Sequence, residues 1–442
     1  MTLKAINRTI KTKPFLILLV LLFLAACSSS DNEPIEEKEA TPPIPTEPEV
    51  FESDLGTTTI YDRSKMSDSF ILVNDPGNGA VYLMDKEGEK ITDWELESGL
   101  GNDVFLLPNN KLLASLDAEE VHINIGGSGG KLQLIDAKSN SVEWNFDYSS
   151  EDYVTHHDAE MLPNGNVLAM VWERKTAEEA QDAGSVLDID VFPEGLIEID
   201  PKTNEIVWAW YAWDHLVQDH DETKENFGSV AQNPQLIDLN YIPQEEGDIM
   251  HANGIAYDPV KDVIFISVNF FNEVWVIDHS TTTEQAASHS GGTQGRGGDL
   301  IYRFGNPNAY DNAKGTKRFD RNHYPNLLTG QGAGNILVYS NGKTEKQSIV
   351  YELKLPDSYT LSPDTDNEPQ EIWSYTHPEL YSEKVSGAVR LPNGNTLITE
   401  GDFGIWEVTE SGEVVWQFQG DGFFWRAYHF DKDAPELAFL NL

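Results

Sequence analysis

The feature that most constrains the fold is a repeat that recurs along most of the chain. Each copy has a strand of β-branched or aromatic residues, an acidic or turn residue, a Gly or Asn turn, and a second strand ending near Trp or Tyr. Apolar and polar residues alternate within each copy, which indicates β-strands. The six hairpins cover residues 81–94, 132–144, 196–208, 274–302, 349–373 and 405–416. Self-similarity at this spacing predicts a repeat architecture.

A second phrase lies between the hairpins and adds further strands. Clear copies of Leu-Pro-Asn-Gly-Asn begin at Leu162 and Leu391, each followed by an apolar run. Asn-Gly between apolar runs favours a tight hairpin turn. Two hairpins per unit make a four-stranded blade, so we predict an all-β, six-bladed β-propeller over residues 68–442. We expect the strand from Ser69 to complete the sixth copy, so that N- and C-terminal strands close the ring. A β-sandwich or two separate domains are the alternatives.

The N-terminus resembles a bacterial lipoprotein signal. Residues 1–26 combine four basic residues, an apolar run over 15–24 and Leu-Ala-Ala before Cys27. This pattern is typical of a secretory signal, and it implies a lipid on Cys27. An ordinary signal with a chance cysteine is the alternative. Residues 27–67 predict a disordered tether. We therefore expect a lipid-anchored protein of the bacterial cell envelope, in the outer membrane, on its periplasmic or surface face.

The charge of the chain excludes some partners. The formal charge is −44, and removal of residues 1–26, with four basic and no acidic side chains, makes it −48. Such a chain should not bind nucleic acid non-specifically, and anionic bilayers should repel it. We therefore expect membrane attachment through the lipid alone. Because Cys27 is the only cysteine, we expect no disulfide in the mature fold. The sequence makes no prediction of oligomeric state.

Three histidines occupy comparable places in consecutive repeats. His157, His251 and His323 each precede the hairpin strand of their own unit. If the blades are equivalent, the three side chains converge at one end of the central channel. Converging imidazoles suit a nucleophile, a general acid and an anion ligand, and they also suit a metal. Histidines that merely cap turns are the alternative.

At these residues the chain resembles the bacterial arylsulfotransferase family. The resemblance rests on segments such as His251-Ala-Asn-Gly-Ile-Ala-Tyr-Asp and Gly297-Gly-Asp-Leu-Ile-Tyr-Arg-Phe-Gly-Asn-Pro. A third such segment is Ser386-Gly-Ala-Val-Arg-Leu-Pro-Asn-Gly-Asn. The resemblance extends over nearly the whole mature domain, and the matching segments occur in the same order as in the family. It implies a six-bladed propeller that moves a sulfuryl group from an aryl sulfate to a phenol through a histidine intermediate. The resemblance implies that the sulfuryl donor is not a nucleotide. We expect no cofactor or metal, because a neutral imidazole is a competent nucleophile without one.

The resemblance also implies roles for individual residues. His323 matches the nucleophile, although Asn322 and Tyr324 stand where the family has Gln and Asp. His251 and Asn253 match a His-x-Asn pair that binds the sulfuryl oxygens. We expect His251 to act also as the general acid.

The other candidate substrate-binding residues match the family pattern less closely. His157, or failing it His156, matches a further ligand of the sulfuryl group. Asn269 stands where the family has Arg, and an amide carries no charge to hold a sulfate. Arg303 and Arg390 are the candidates to replace that charge from other blades. The departure at Asn269 keeps a second hypothesis open, a propeller that only binds an anionic or aromatic ligand or a protein.

Two further hypotheses concern aromatic residues and a metal. Trp210, Tyr211 and Trp213 are candidates to stack on the aryl group, and burial in a blade explains them equally well. A metal-dependent hydrolase built on the same histidines is disfavoured, because no acidic residue has fitting spacing.

Overall fold

The computed structural model describes residues 49–244 and 246–440. The predicted signal peptide, the lipidation site Cys27 and the predicted tether up to residue 48 lie outside the described residues. In the part of the chain that is described, no helix has the length and apolar character needed to cross a membrane.

Six antiparallel sheets follow one another along the described chain, and we number them as blades 1 to 6. Their strands, in order within each blade, are Arg426–Asp431, Ser69–Asp75, Ala80–Met84 and Lys90–Trp94 (blade 1); Leu100–Leu107, Lys111–Asp117, Gly130–Asp136 and Val142–Asp147 (blade 2); Tyr153–Met161, Val167–Glu173, Glu194–Asp200 and Glu205–Tyr211 (blade 3); Ala252–Asp258, Val263–Val268, Glu273–Asp278 and Tyr302–Phe304 (blade 4); Asn322–Leu327, Asn335–Ser340, Ile349–Lys354 and Gln370–Tyr375 (blade 5); and Gly387–Arg390, Thr396–Glu400, Gly404–Val408 and Val414–Gly420 (blade 6). The predicted six-bladed β-propeller is confirmed.

Hydrophobic clusters lie between neighbouring blades and hold the ring together. One cluster joins blades 1 and 2, and others join each following pair, including blades 6 and 1. The middle strands are therefore apolar on both faces, as in Val263–Val268, where every residue is buried. Burial on both faces explains why these strands are rich in Val, Ile and Phe.

The two ends of the described chain meet in the sheets. Arg426–Asp431 pairs antiparallel with Ser69–Asp75 in blade 1. The strand from Ser69 therefore belongs to blade 1 and does not complete the sixth copy, and the strand added to blade 1 from the other end of the chain is Arg426–Asp431. Gly56–Tyr61 pairs with Val414–Gly420 at the outer edge of blade 6, and Phe51–Ser53 pairs with Gly56–Tyr61 in turn. The tether prediction is therefore wrong for residues 51–61, whose β-branched Thr and Ile side chains suit a strand that covers an open sheet edge.

Short helices and one small sheet lie in the connections. The α-helices are Ala177–Asp182 and Thr283–Ala286, and both begin with a capping box. The 3₁₀ helices are Ala212–His215, Val230–Gln232, Pro307–Tyr310 and Pro435–Leu440. Leu216–Val217 and Ile237–Asp238 form a parallel pair. All of them except the last 3₁₀ helix lie in three insertions between blade strands, over residues 172–192, 212–247 and 279–322.

Candidate active site

The three histidines singled out in the sequence come together along the first strands of blades 3, 4 and 5. His157 lies in the middle of its strand, His251 directly precedes its strand, and His323 is the second residue of its strand. The ring centroids of His157 and His251 are 4.9 Å apart, with the rings nearly perpendicular. Trp425, which precedes the first strand of blade 1, lies 5.6 Å from His157 and 6.2 Å from His323. Side chains from four blades thus share one end of the channel.

The backbone turns these side chains out of the regular strand alternation. His157 and His251 have positive φ angles of 53° and 54°, which is rare for residues with a Cβ. The first strands of blades 3, 4 and 5 also shift register at this level, after His156, Ala252 and His323. Bulges and left-handed residues re-aim side chains and often occur at functional sites.

His323 is held as a neutral imidazole with a defined tautomer. The Nδ2 of Asn341 donates to the carbonyl oxygens of Ser382 and Val385, so its Oδ1 faces His323 Nδ1 at 2.7 Å. Nδ1 must then carry the proton, and Nε2 keeps its lone pair. Burial lowers the pKa of His323 to about 3. The N–H of Val385 donates to Nε2 at 3.2 Å, so an electrophile must displace this contact.

His251 has the opposite electrostatic setting. Its Nδ1 lies 2.5 Å from Oδ2 of Asp248, and its backbone N–H donates to the other oxygen of the same carboxylate. Burial alone would lower the pKa of His251, but Asp248 and Glu194 outweigh burial and raise it above its usual value. Because Nδ1 is engaged, Nε2 is the nitrogen left to donate a proton.

His157 is the third member, and a chain of buried groups lies behind it. Its Nδ1 is 2.8 Å from Nδ1 of His156, whose Nε2 lies 2.8 Å from Oε2 of Glu194. Burial lowers the pKa of His156 to about 3 and that of His157 well below its usual value, and it raises that of Glu194. His156 stacks on Trp172 at 3.8 Å and so supports His157 from behind.

Asn253 and Asn269 share one hydrogen-bond acceptor in the residue that precedes His323. Asn253 and Asn269 donate to the carbonyl oxygen of Asn322 at 2.9 and 3.2 Å. The Oδ1 of Asn269 accepts a hydrogen bond from Arg321 at 3.2 Å. Arg321 also packs 4.5 Å from the ring of Phe270. A guanidinium therefore lies beside the position where the charge is missing.

Arg321 was not singled out in the sequence analysis. Its position two residues before His323 is the only sequence feature that could have predicted Arg321 as a residue of the site. Its φ of 60° turns it away from the regular strand path. His251 stacks on the same Phe270 ring at 4.9 Å, which places Arg321 and His251 on one aromatic side chain.

Arg303 and Arg390 do not join the histidines. Arg303 is fully buried at the outer strand of blade 4 and pairs with Glu273. Arg390 pairs with Glu352 and packs 4.8 Å from Trp373. The expectation that either replaces the charge missing at Asn269 is wrong for this structure, because buried carboxylates pair with both guanidinium groups away from the histidines.

Arg426 separates the histidine cluster from a cavity further along the channel. Its guanidinium lies 2.9 Å from Asp158 and 3.6 Å from Asp103, and it packs 4.1 Å from the ring of Tyr324. A cavity of about 860 Å³ is lined by these residues and by Arg390, and not by the three histidines. The histidine cluster itself is nearly closed.

The aromatic rings near the cluster are not those proposed from the sequence. Trp210 is buried in the core between blades 3 and 4 and stacks on His215. Trp172, Trp425 and Phe270 surround the histidines instead. Only 3% of His157 and 4% of His323 are exposed. An aryl group reaches them only if some of these rings move.

Fold and site together define a β-propeller with a nucleophile-like and an acid-like histidine at one channel end. The family model described as Arylsulfotransferase (ASST) matches residues 57–422. The chain therefore belongs to the arylsulfotransferase family, and this membership supports aryl sulfuryl transfer in general.

Other comparisons add little. No curated protein matches the chain significantly. Similar solved structures include a putative 6-phosphogluconolactonase from Bacteroides fragilis, with 10% identity, a TM-score of 0.41 and coverage of 83% of this chain and 99% of that one. A β-propeller domain from Myceliophteria thermophila has 11% identity, a TM-score of 0.37 and coverage of 85% and 89%. Hydrazine synthase from Kuenenia stuttgartiensis has 13% identity, a TM-score of 0.36 and coverage of 68% of each chain. We infer nothing about activity from these likenesses.

Proposed function

We propose that this protein transfers a sulfuryl group from an aryl sulfate to a phenol, with His323 as the covalent carrier and without a nucleotide donor. The observation that carries the proposal is the contrast between two nearby histidines. His323 is neutral with a pKa of about 3, whereas the pKa of His251 is raised. Groups whose environments push their pKa values apart suit complementary acid and base roles.

In the first half-reaction, the lone pair on Nε2 of His323 attacks the sulfur atom. The bond from sulfur to the aryl oxygen breaks, and its electron pair stays on that oxygen. His251 donates its Nε2 proton to the oxygen, so that a neutral phenol leaves. Asp248 stabilises the protonated imidazole before the transfer and orients it.

In the second half-reaction, the oxygen of an acceptor phenol attacks the sulfur. The bond from Nε2 of His323 to sulfur breaks, and its electron pair returns to the nitrogen. His251 accepts the phenol proton and is ready for another cycle. No metal or cofactor is needed to balance either step.

Donors around His323 hold the sulfuryl oxygens in this proposal. His157 and Arg321 are the candidate donors, and Asn253 and Asn269 line the same side through Asn322. Preorganised donors of this kind stabilise a transferring group because they need no reorganisation during the reaction.

The direct test is turnover of a chromogenic aryl sulfate with and without added phenol. We expect release of the coloured phenol to depend on the acceptor. The uncharged amide of Asn269 keeps open the second hypothesis, a propeller that only binds an anionic or aromatic ligand or a protein. No turnover, with saturable binding of the aryl sulfate, would support that hypothesis instead.

We also propose that Cys27 carries a lipid that anchors the protein to the bacterial cell envelope, with the outer membrane as the expected location. The Leu-Ala-Ala-Cys motif after an apolar run supports this proposal. Multiple acyl chains hold a protein stably at a membrane, whereas a single chain does not. Cys27→Ser should therefore move the protein from the membrane fraction to the soluble fraction, and unchanged membrane retention would refute the proposal.

A further inference from the structure

A second group of histidines lies away from the channel, where two insertions meet. His215 belongs to the 3₁₀ helix Ala212–His215, and His289 and Asp299 belong to the Gly-rich insertion that follows blade 4's third strand. The Nδ1 atoms of His215 and His289 lie 2.9 and 2.7 Å from the same oxygen, Oδ1 of Asp299. The three ligand atoms all lie within 4.8 Å of one another.

The two ring nitrogens of His215 face different partners, and Nδ1 is the one that faces this carboxylate. Its Nε2 lies 2.7 Å from the carbonyl oxygen of Ala286, which can only accept, so Nε2 carries the proton. In a neutral imidazole Nδ1 is then unprotonated. It faces Oδ1 of Asp299, which is also an acceptor when ionised. A cation between the two atoms satisfies both of them.

We propose that His215, His289 and Asp299 bind a divalent transition-metal ion of the zinc type. Two imidazole nitrogens and one carboxylate oxygen are the ligands that zinc accepts, and hard ions such as calcium or magnesium prefer oxygen alone. A metal-binding histidine commonly donates its other ring N–H to a backbone carbonyl, as His215 does to Ala286.

The geometry needs only a small adjustment to hold the ion. Ligands at about 2.0–2.1 Å from a tetrahedral zinc lie roughly 3.3 Å apart, slightly more than the 2.9 and 2.7 Å that separate the two Nδ1 atoms from Oδ1 of Asp299. His215 is fully buried, whereas the side chain of His289 is 64% exposed and is free to shift. The open side next to His289 leaves the fourth position to water.

The surroundings fix His215 in place. Trp210 stacks parallel to its ring at 5.9 Å. A Cβ on Gly298 would lie 2.4 Å from Nε2 of His215, so only glycine fits there. The ion would therefore join the 212–247 insertion to the 279–322 insertion. This inference does not depend on sulfuryl transfer, because the cluster shares no residue with the channel histidines.

Calorimetric titration with zinc chloride tests the proposal on the full chain in detergent, purified without an added tag. We expect one ion per chain. His289→Ala and Asp299→Asn should each lower the affinity by at least about tenfold, because loss of an outer-shell partner alone costs that much. His289 is exposed and Asn is isosteric with Asp, so both variants should fold, which circular dichroism checks. Cobalt offers a second readout through its visible absorption.

The matched control is His220→Ala, which removes an exposed histidine of the same insertion. This variant should bind zinc as the wild type does. The proposal is overturned if the wild type binds no zinc at millimolar concentration. It is equally overturned if both His289→Ala and Asp299→Asn bind as the wild type does, since the ion would then lie elsewhere, as at the channel histidines.

Discussion

The blade 4 and blade 5 sides of the active site place different groups behind the same kind of side chain. Asp248 lies behind His251, and Asn341 lies behind His323. Burial acts to lower the pKa of both imidazoles, but only the carboxylate reverses that effect. The comparison shows that the group at Nδ1 decides the pKa of a buried histidine: it stays lowered beside an amide and is raised beside a carboxylate, as the proposed nucleophile and acid roles require.

The largest effect should come from removing the nucleophile on the blade 5 side. His323→Ala should reduce aryl sulfate turnover to the limit of detection, because it removes the proposed covalent carrier of the sulfuryl group. The control is His122→Ala, which removes an exposed histidine and should leave turnover unchanged. Steady-state assays with a chromogenic donor measure both variants. Substantial activity in His323→Ala would contradict the assignment.

The next-largest loss of activity should come from replacing the carboxylate behind His251 with an amide, as is found behind His323. Asp248→Asn should slow the first half-reaction by about 100-fold or more, which is the usual contribution of a general acid. Asp219→Asn, an exposed position in the preceding insertion, serves as the control. Single-turnover release of the phenol measures the rate.

The Asp248→Asn substitution should also change how the rate depends on pH. The acid form of His251 is needed for the first half-reaction, so the rate should fall as pH rises through its pKa, which is raised above 6.5. In Asp248→Asn this fall should begin at lower pH. The neutral form of His323 is lost only near its pKa of about 3, so no acid limb should appear above that pH. Unchanged pH profiles would show that Asp248 does not act through His251.

A smaller loss should follow from removing the charge beside Asn269. Arg321→Gln should lower kcat/KM by about tenfold to 100-fold, at or below the usual loss of one oxyanion donor, because the side chain is only partly buried. Asn269→Arg combined with Arg321→Asn should restore part of the loss by exchanging the two side chains. Full activity in Arg321→Gln would remove Arg321 from the site.

The smallest loss should follow from displacing His157. A Cβ on Gly127 would lie 2.2 Å from the His157 ring, and Gly127 also has a positive φ of 96°. Gly127→Ala should therefore lower kcat/KM by roughly tenfold through misplacement of one ligand. Gly126→Ala is the matched control, since a Cβ there meets nothing within 4 Å. Equal activity of the two variants would contradict a role for His157.

The blades and the histidine cluster could be predicted because both follow the repeat. Strand alternation fixes the hairpins, and equivalent positions in consecutive blades bring His157, His251 and His323 to one channel end. The strand Gly56–Tyr61 was missed because a single edge strand has no partner in the repeat pattern.

The groups behind the histidines could not be predicted, because they follow no period. Asn341 and Arg321 depend on register shifts and positive φ angles at residues other than glycine, which leave no sequence signal. The expectations for Arg303 and Arg390 failed for a related reason. Spacing alone does not show that Glu273 and Glu352 pair with these guanidinium groups and hold them away from the histidines.

The central claim is that His323 carries the sulfuryl group, and intact mass measurement tests it most directly. The protein is incubated with an aryl sulfate in the absence of phenol and then digested for peptide mapping. We expect a gain of one sulfuryl mass on His323, which is lost when phenol is added. A wild-type protein that turns over the donor but never gains this mass, or gains it on another residue, would show that His323 is not the carrier.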